Sequence, residues 1–371
     1  MNSYFFNNWS ELESSWASFQ NISNSLLVLV ADQGKPDTEV FDQWCQSSQV
    51  SMFGGVFPEL IVKGNRVVEG ILILELPFRV HSSLIDIQTD AIDFFQQLEN
   101  TYSAEPLQNY KNPGLFIFDD AVSERKNECI HSIYEFFGVN VKYIGGGAGS
   151  LKYDHKPCIF NNQGIFQDAL LLALFDGDLA LGVAHGWTPI SEPLKITEAD
   201  GYDILTIDWR PALDVYKELV EQHSGLTFTD HNFFEIAKSY PIGLAKMDDE
   251  MLVRDPYKTE GSSIRIVNKV HEGEHISIMH GNMSLLLEGA KSARLSVDKA
   301  SHKGQIQEFC VDCITRVLYM GENFDQEIKI AQGENELNGI LSLGEIANSG
   351  DRILEIFNKT IVLAKWAKTF S

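Results

Sequence analysis

Two histidines and a glutamate occur at the spacing of a zinc-protease motif. His271, Glu272 and His275 spell His-Glu-x-x-His, and on a helix this spacing places both imidazoles on one face, where they bind zinc while the glutamate acts on a zinc-bound water. The flanking residues instead predict strand, polar turn, strand, with apolar runs at 264–270 and 276–279, and the central glycine disfavours a helix. A zinc-dependent hydrolase is therefore kept as the second alternative function.

The cysteines are odd in number and irregularly spaced: Cys45, Cys129, Cys158, Cys310 and Cys313. This pattern favours reduced thiols in a cytosol over a disulfide framework. Cys310 and Cys313 have the spacing of half a zinc site, but the sequence has no second pair at the usual spacing. Their apolar neighbours indicate a buried strand in which cysteine acts as a small hydrophobic residue.

Glycine pairs follow two apolar strands, Gly54 and Gly55 in the first case and Gly145 and Gly146 in the second. Glycine lets the backbone turn with positive φ or lets a ligand approach closely. Two interpretations stay open: the pairs face one ligand pocket, or they only make turns. The run 145–150 lacks both the Gly-Lys-Ser/Thr ending of a phosphate loop and a third glycine at dinucleotide spacing.

Composition and charge bound the class of protein. The 371 residues are 44% hydrophobic and 22% charged, as in ordinary globular proteins, and the length favours two domains. The chain has 52 acidic and 29 basic residues, which gives a net charge of -23. Because this charge repels phosphate groups, we do not expect nucleic acid or anionic membranes as partners. The first ten residues have no basic segment before an apolar run, so we do not expect them to act as a secretory signal. The apolar stretch 169–184 is broken by Asp176-Gly177-Asp178, which predicts a hairpin between two strands rather than a membrane span. We expect a cytoplasmic protein without membrane insertion.

The same order of elements occurs twice in the first half of the chain. Each copy has a strand, a helix, a strand with paired glycines, a turn and a long strand. A third, weaker echo occurs near the end. The copies are predicted at 26–30, 38–46, 50–55, 63–66 and 67–76; at 115–118, 123–137, 141–146, 161–164 and 165–174; and, for the echo, at 343–346, 348–351 (turn) and 360–364.

These elements predict a mixed α/β fold. Short strands separated by Gly, Asn and Asp turns, with several flanking helices, favour layered sheets with antiparallel hairpins and βαββ-like repeats over a purely parallel doubly wound sheet. A helix that begins near Pro211 and ends at His223-Ser224-Gly225 places the domain boundary close after it. The expected domains are residues 1–226 and 227–371.

Two sets of short motifs resemble the paired N- and C-terminal domains of the FIST family, bacterial sensory proteins named for F-box and intracellular signal transduction. The motifs follow the family's order over nearly the whole chain, although Phe357 stands where the family commonly has His. The N-terminal motifs are at 181–190 (Leu-Gly-Val-Ala-His-Gly-Trp-Thr-Pro-Ile), 196–199, 207–208, 211–212 and 215–216; the C-terminal ones are at 240–243, 253–254, 273, 313–316, 344–346 and 358–360.

The resemblance implies a sensor of small ligands that signals by binding and is not an enzyme. Family members work with histidine kinases, cyclic-di-nucleotide enzymes or chemotaxis receptors. We expect the signalling partner of this chain to be a separate protein, and the ligand to bind between the two halves.

Within the matched motifs, four polar residues form the expected ligand site: Arg254, Arg316, Glu345 and Asn358. An arginine fork binds a carboxylate through two parallel bonds, glutamate accepts from an ammonium group, and asparagine serves either. The set therefore predicts a zwitterionic ligand such as an amino acid. The structural alternative is that Arg316 and Glu345 pair across strands. Cys313, which shares a motif with Arg316, and Trp187 complete the expected site.

A haem-binding nitric oxide sensor is the first alternative, since some FIST relatives resemble such proteins. Haem needs an axial ligand, most often His, in an apolar pocket. His185 follows an apolar strand and is the first candidate, with His131, His155 and His280 behind it. The cofactor is otherwise left open.

Overall fold

Three copies of one structural unit make up most of the molecule. Each copy has an edge strand, a helix, a strand, a further helical segment, a parallel strand, a two-stranded hairpin and a closing antiparallel strand. The computed structural model describes residues 2–103, 107–229, 231–246, 251–300, 306–348 and 352–367.

The first unit is centred on a strand whose six apolar residues are all buried, β2. Burial on both faces is the environment in which a continuous apolar run forms a central strand. β2 pairs in parallel with β3 and antiparallel with β6, which also pairs with β1. The elements are β1 (Ser3–Phe6), α1 (Trp9–Ser15), β2 (Leu26–Ala31), α2 (Thr38–Ser47), β3 (Met52–Phe57), β4 (Glu59–Val62), β5 (Asn65–Val67) and β6 (Ile71–Glu75).

The second unit repeats this pairing. β8 is parallel to β9 and antiparallel to β12, and β12 pairs with β7 at the edge. Asp90 caps α3 by accepting from the backbone N–H groups of Ile92 and Asp93. The elements are β7 (Val80–Asp86), α3 (Ala91–Tyr102), β8 (Pro113–Asp120), α4 (Lys126–Phe137), β9 (Lys142–Ala148), β10 (Ile159–Asn161), β11 (Gly164–Phe166) and β12 (Ala169–Asp176).

The third unit is interrupted after its first strand, β13 (Leu179–Ala184), by an inserted segment. The insertion forms a sheet in the order β19-β18-β22-β15-β16-β21-β20, with β14 on β22 and β17 on β16. Its elements are β14 (Thr188–Pro189), β15 (Leu194–Asp200), β16 (Asp203–Ile207), β17 (Arg210–Pro211), α5 (Ala212–Ser224), α6 (Phe233–Ala237), β18 (Ile242–Ala245), β19 (Met251–Arg254), β20 (Pro256–Glu260), β21 (Ser263–Ile266) and β22 (His275–His280).

After the insertion, the third unit continues with the same strand pairing as the first two units. β23 is parallel to β24 and antiparallel to β27, and β27 pairs with β13. The elements are α7 (Met283–Asp298), β23 (Ile306–Cys313), α8 (Ile314–Met320), α9 (Phe324–Gln332), β24 (Leu337–Ser342), β25 (Glu345–Asn348), β26 (Leu354–Phe357) and β27 (Ile361–Ala367).

The units exchange their hairpins in a cycle. The β4–β5 hairpin of the first unit extends the sheet of the third by pairing with β24. The β10–β11 hairpin of the second pairs with β3 of the first, and the β25–β26 hairpin of the third pairs with β9 of the second. Each unit therefore completes the sheet of another.

Aromatic side chains from all three units meet in the core. The ring of Phe116 lies 5.7 Å from that of Phe53 and 6.3 Å from that of Phe309, and 6.0 Å from that of Trp366. All four side chains are fully buried. Each contributes about 1.5–3 kcal/mol or more through burial, which holds the three sheets together.

The mixed α/β class with antiparallel pairing is confirmed, and so is the repeat, including its third echo. Part of the echo's predicted turn, 349–351, lies outside the described residues. The division into residues 1–226 and 227–371 stays a prediction; strands from both ranges pair within three of the four sheets.

Two details of the sequence interpretation are wrong. β12 and β13 do not form a hairpin, because β7 and β8 occupy both edges of β12, and β13 pairs with β27 instead. The long strands predicted at 67–76 and 165–174 are each divided in two, with a positive φ at Gly70 and at Asp168 where the chain passes from the hairpin to the closing strand.

Candidate functional site

Arg316 lies at the meeting point of the third unit and the inserted segment. It sits in the first turn of α8 and is fully buried. Its Nη1 donates to the carbonyl oxygens of His185 (2.6 Å) and Lys359 (2.9 Å), and its Nη2 donates to that of Leu286 (3.3 Å). These bonds tie the end of β13, the start of α7 and the start of β27 to one guanidinium.

The charge of Arg316 is matched by carboxylates of its own unit. Its Nε donates to Glu327 at 3.0 Å and lies 3.4 Å from Asp312. Burial acts to lower the pKa of Arg316, but Glu327 and Asp312 raise it above its ordinary value. Described residues thus engage all three nitrogens of the guanidinium. Glu345, the ion-pair partner that the sequence offered as an alternative, does not bond to any of these nitrogens.

Glu345 begins β25 and is also fully buried. Its Oε1 accepts from the Ser342 hydroxyl at 2.8 Å and its Oε2 accepts from the Thr360 backbone N–H at 3.3 Å. The Cys313 thiol is a further hydrogen-bond partner, and burial raises the pKa of Glu345 to about 8. At pH 7 Glu345 is therefore mostly a neutral acid.

The repeat shows that the fold does not need a carboxyl group at this position. In the paired strands, Glu345 of the third unit lies opposite Gly146. The corresponding pairs of the other two hairpins are Leu60 opposite Ile340 and Ile159 opposite Gly55. The first and second units thus place an apolar side chain where the third places Glu345. A polar group at a position that packing fills with leucine or isoleucine is typical of a functional site.

Arg254 ends β19 in the inserted segment, and its side chain is almost completely buried. Its Nη1 donates to the carbonyls of Ile356 (2.9 Å) and Val253 (3.2 Å), while its Nε has no hydrogen-bond partner among the described residues. No carboxylate of the described residues lies within ion-pair distance of it. Burial lowers the pKa of Arg254, and the more distant charges of Glu355 and Glu274 offset this only in part. A buried guanidinium that pairs directly with no described carboxylate is costly, so this group is a candidate to bind an anion.

A second unsatisfied polar group lies near the same strand end. Asn358 is buried, and its Oδ1 has no hydrogen-bond partner in the part of the chain that the structure describes. It follows Phe357 and Ile356, the latter providing the carbonyl that accepts from Arg254. The third unit thus presents an acceptor without a described partner two residues after the carbonyl that accepts from Arg254.

A cavity of about 360 Å³ lies between the end of β13, the first turns of α7 and the β26–β27 turn. Trp187, Phe357 and Thr360 line it from the third unit, and Glu288 and Ser292 of α7 line its other side. Thr360 donates its backbone N–H to Glu345. Phe357 lies between Ile356 and Asn358 in the chain. The cavity has a volume in the range of small-molecule sites.

Two family models match the chain in succession. The FIST N domain matches residues 25–210 and the FIST C domain matches residues 212–348. The chain belongs to the FIST family. FIST domains are sensory domains of signalling proteins. A search of curated proteins finds no match to the chain. The described helices include none long and apolar enough to cross a membrane.

The FIST C match contains most of the expected site, namely Arg254, Cys313, Arg316 and Glu345, and ends before Asn358. The structure brings these residues together around β19, β23, β25 and the β26–β27 turn. Cys313 is buried, with its sulfur 3.1 Å from the Thr315 hydroxyl, and burial raises the pKa of its thiol.

Trp187 lines the cavity, and its indole is buried. Its Nε1 donates to the Lys359 carbonyl at 3.2 Å, and the Lys359 ammonium lies 5.1 Å from the ring centroid. Lys359 also pairs with Asp255 at 3.0 Å. Sequence reasoning missed Lys359 and Asp255, although both are adjacent to residues it had selected.

His185 is held in the neutral form. Its Nδ1 accepts from the Trp187 backbone N–H at 2.9 Å, and a further hydrogen bond joins the ring to the backbone of Met251. Burial, with the nearby charge of Arg316, lowers the pKa of His185 to about 4. Because the protein itself occupies its hydrogen-bonding positions, His185 is poorly placed to bind haem iron.

The other candidate histidines lie apart from the cavity's lining residues. His131 is exposed beside Glu135, at 3.3 Å, and His155 lies 3.0 Å from Asp168. The ring of His280 stacks on that of Tyr240, with centroids 4.8 Å apart. Haem binding and nitric oxide sensing stay predictions.

The paired glycines lie inside β3 and β9 rather than at strand ends. A Cβ on Gly54 would come within 1.7 Å of the Val28 oxygen, and one on Gly145 within 1.6 Å of the Ile117 oxygen. Gly55 packs near the Phe57 ring, and Gly146 near the Ser342 Cβ. Only Gly146 thus packs against the β24–β25 turn that carries Glu345.

The two metal-like motifs adopt strand and turn geometry. His271, Glu272 and Gly273 form a turn before β22, and the His271 N–H donates to Glu274. His275 is the first residue of β22, so the motif does not present two imidazoles on a helix. Cys310 and Cys313 are free, buried and three residues apart in β23; odd spacing directs strand side chains to opposite faces, which does not suit a shared metal.

Proposed function

We propose that this FIST protein is a sensor that binds a small zwitterionic molecule, such as an amino acid, and reports the bound state to a separate signalling protein. The observation that carries the proposal is the buried Arg254 guanidinium, which has no carboxylate partner among the described residues. The cavity between Trp187, Phe357 and α7 offers space for a ligand, and its lining residue Phe357 directly follows Ile356, whose carbonyl accepts from Arg254.

The chemistry of the two unsatisfied groups favours such a ligand. A carboxylate on Arg254 would supply the missing counter-charge through charge-assisted bonds. A ligand ammonium or amide N–H would donate to the free Asn358 Oδ1. Arg316, whose nitrogens are already used, positions the site rather than binding the ligand.

A ligand at this place would join two parts of the molecule. Arg254 belongs to the inserted segment, whereas Asn358 and Phe357 belong to the third unit. A ligand that contacts both has a higher affinity for an arrangement in which they are close, and so shifts the population towards it. A partner that binds this arrangement preferentially, such as a histidine kinase or a cyclic-di-nucleotide enzyme, would receive the signal.

Thermal unfolding in the presence of each of the twenty amino acids tests the proposal. We expect at least one to raise the unfolding temperature of the wild type, with binding confirmed by calorimetry, and Arg254→Gln to abolish this. The matched control is Arg265→Gln, whose arginine pairs with Asp203 at 2.9 Å elsewhere in the inserted segment; it should bind as the wild type does. Equal binding by Arg254→Gln would contradict the proposal, and superimposable scattering profiles with and without saturating ligand would remove the shift between two arrangements.

A further inference from the structure

A second polar cluster lies at the end of β8, in the second unit. Its members are Asp120, His155 and Asp168, whose ligand-type atoms all lie within 4.8 Å of one another. The Nε2 of His155 is 3.0 Å from the Asp168 Oδ1 and 3.6 Å from the Asp120 Oδ2. The cavity and Arg254 belong to other parts of the molecule, so this cluster is separate from the site described above.

The repeat places this cluster at the counterpart of the proposed sensor site. Asp120 is the last residue of β8, as Cys313 is the last residue of β23. Strand pairing aligns Asp168 with Lys359, and the two have nearly equal backbone angles, with φ of 52° and 51°. Ligand sites in α/β proteins occur beyond the carboxyl ends of parallel strands, and both corners lie there.

Hydrogen bonds hold the carboxylates of this cluster in position. The Oδ1 of Asp120 accepts from the Val122 N–H at 3.1 Å, and its Oδ2 accepts from the Asp168 N–H at 2.8 Å. The side-chain amide of Gln88 donates to the Asp168 Oδ1 at 2.8 Å. Outer hydrogen bonds of this kind orient metal ligands in proteins.

The donor set and its charge suit a divalent cation. Two carboxylates and a neutral imidazole sum to two negative charges, and the Asp120 side chain is almost wholly buried. Bonds of about 2.0–2.2 Å in a tetrahedral site separate neighbouring ligand atoms by about 3.3–3.6 Å, close to the separations present here. His155 is half exposed, which gives an ion a path from solvent and leaves room for water as a further ligand.

We propose that Asp120, His155 and Asp168 form a binding site for a divalent transition-metal ion, with Zn²⁺ and Mn²⁺ as the ions of suitable ligand preference. The site does not depend on the proposed sensor function. The rival arrangement is a protonated His155 that bridges the two carboxylates without metal.

Calorimetric titration of chelator-treated, full-length protein with ZnCl2, and separately with MnCl2, tests the site. We expect one ion per chain for at least one metal, and an affinity loss of at least about tenfold in His155→Ala and in Asp168→Asn. Asn tolerates the left-handed backbone of residue 168, so the second variant keeps the local fold. His131→Ala, which removes an exposed histidine of the same unit, should leave the affinity unchanged.

Variants of His271 and His275 provide the decisive comparison. If binding is lost in His271→Ala/His275→Ala and retained in His155→Ala, the assignment is wrong. If the wild type binds neither ion at micromolar concentrations, the protonated-histidine arrangement replaces it. The bound ion should also raise the unfolding temperature of the wild type and not that of His155→Ala, a readout on soluble protein that separates lost binding from lost folding.

Discussion

Glu345 occupies the strand position in the third unit that Leu60 occupies in the first. Both side chains are fully buried, and both belong to a hairpin donated to another unit's sheet. The leucine packs against apolar neighbours, whereas the glutamate bonds to Ser342 and the Thr360 N–H. The comparison separates what the fold requires from what the third unit has added to it.

The pH dependence of stability should carry the signature of Glu345. Its pKa is about 8 in the folded chain, raised by burial, against an ordinary value of 4.5. Between these values the folded state holds a proton that the unfolded state releases, so this group's contribution to stability is full below about pH 4.5 and is lost as the pH rises through 8. Denaturant unfolding of wild type and Glu345→Gln from pH 5 to pH 8 should show the wild type losing more stability, on the order of a few kcal/mol. Parallel curves would contradict this.

Removing Arg316 should strongly destabilise the protein. Arg316→Met leaves Glu327 and Asp312 buried without their counter-charge and frees the carbonyls of His185 and Lys359. Breaking one side of a buried ion pair costs ~3–5 kcal/mol. Urea unfolding measures the change. Arg210→Met, which removes an exposed arginine paired with Glu218, should unfold at nearly the wild-type urea concentration.

The strand glycines of β9 and β3 should differ in their tolerance of alanine. Gly145→Ala drives a methyl group onto the Ile117 carbonyl oxygen and should cost at least ~3 kcal/mol, because backbone rather than a flexible side chain must move. Gly55→Ala meets the Phe57 ring at 3.0 Å and the Ala148 Cβ at 3.4 Å, and should cost about 1 kcal/mol. Comparable denaturation midpoints for the two variants would show that both strands adjust equally.

Filling the cavity should block the proposed ligand. Ser292 of α7 lines the cavity and is exposed, so Ser292→Trp should fold normally and lose at least about tenfold in affinity for any amino acid that binds the wild type. Ser296, one turn further along the same helix, is not among the lining residues, and Ser296→Trp should bind normally. Calorimetry with both variants distinguishes occupation of this cavity from binding elsewhere.

Local patterns in the sequence predicted much of the fold, and long-range pairing limited the rest. The apolar runs of β2, β8 and β12 and the recurring order of elements are visible in the residues themselves. The pairing of Leu179 with Trp366 is not, because nothing near β13 indicates that its partner lies at the far end of the chain. For this reason β12 and β13 were predicted as a hairpin.

The candidate site shows the same limit. Arg254, Cys313, Arg316, Glu345 and Asn358 do lie in one region, but their roles depend on partners that spacing does not reveal. Arg316 is neutralised by Glu327, which only the packing of α9 brings to it. Arg254 stands out only once its surroundings are known, since the lack of a direct ion-pair partner among the described residues is a property of the folded chain.

The exchange of hairpins also fixes the number of units. In an open array each copy contacts only its neighbours, so copies can be gained or lost at either end. Here every copy gives one hairpin and receives one, and the cycle closes at three. A duplicated or deleted copy would leave a donor without an acceptor, so we expect descendants of this chain to vary by insertions within a unit, as between β13 and α7, and not by adding further units.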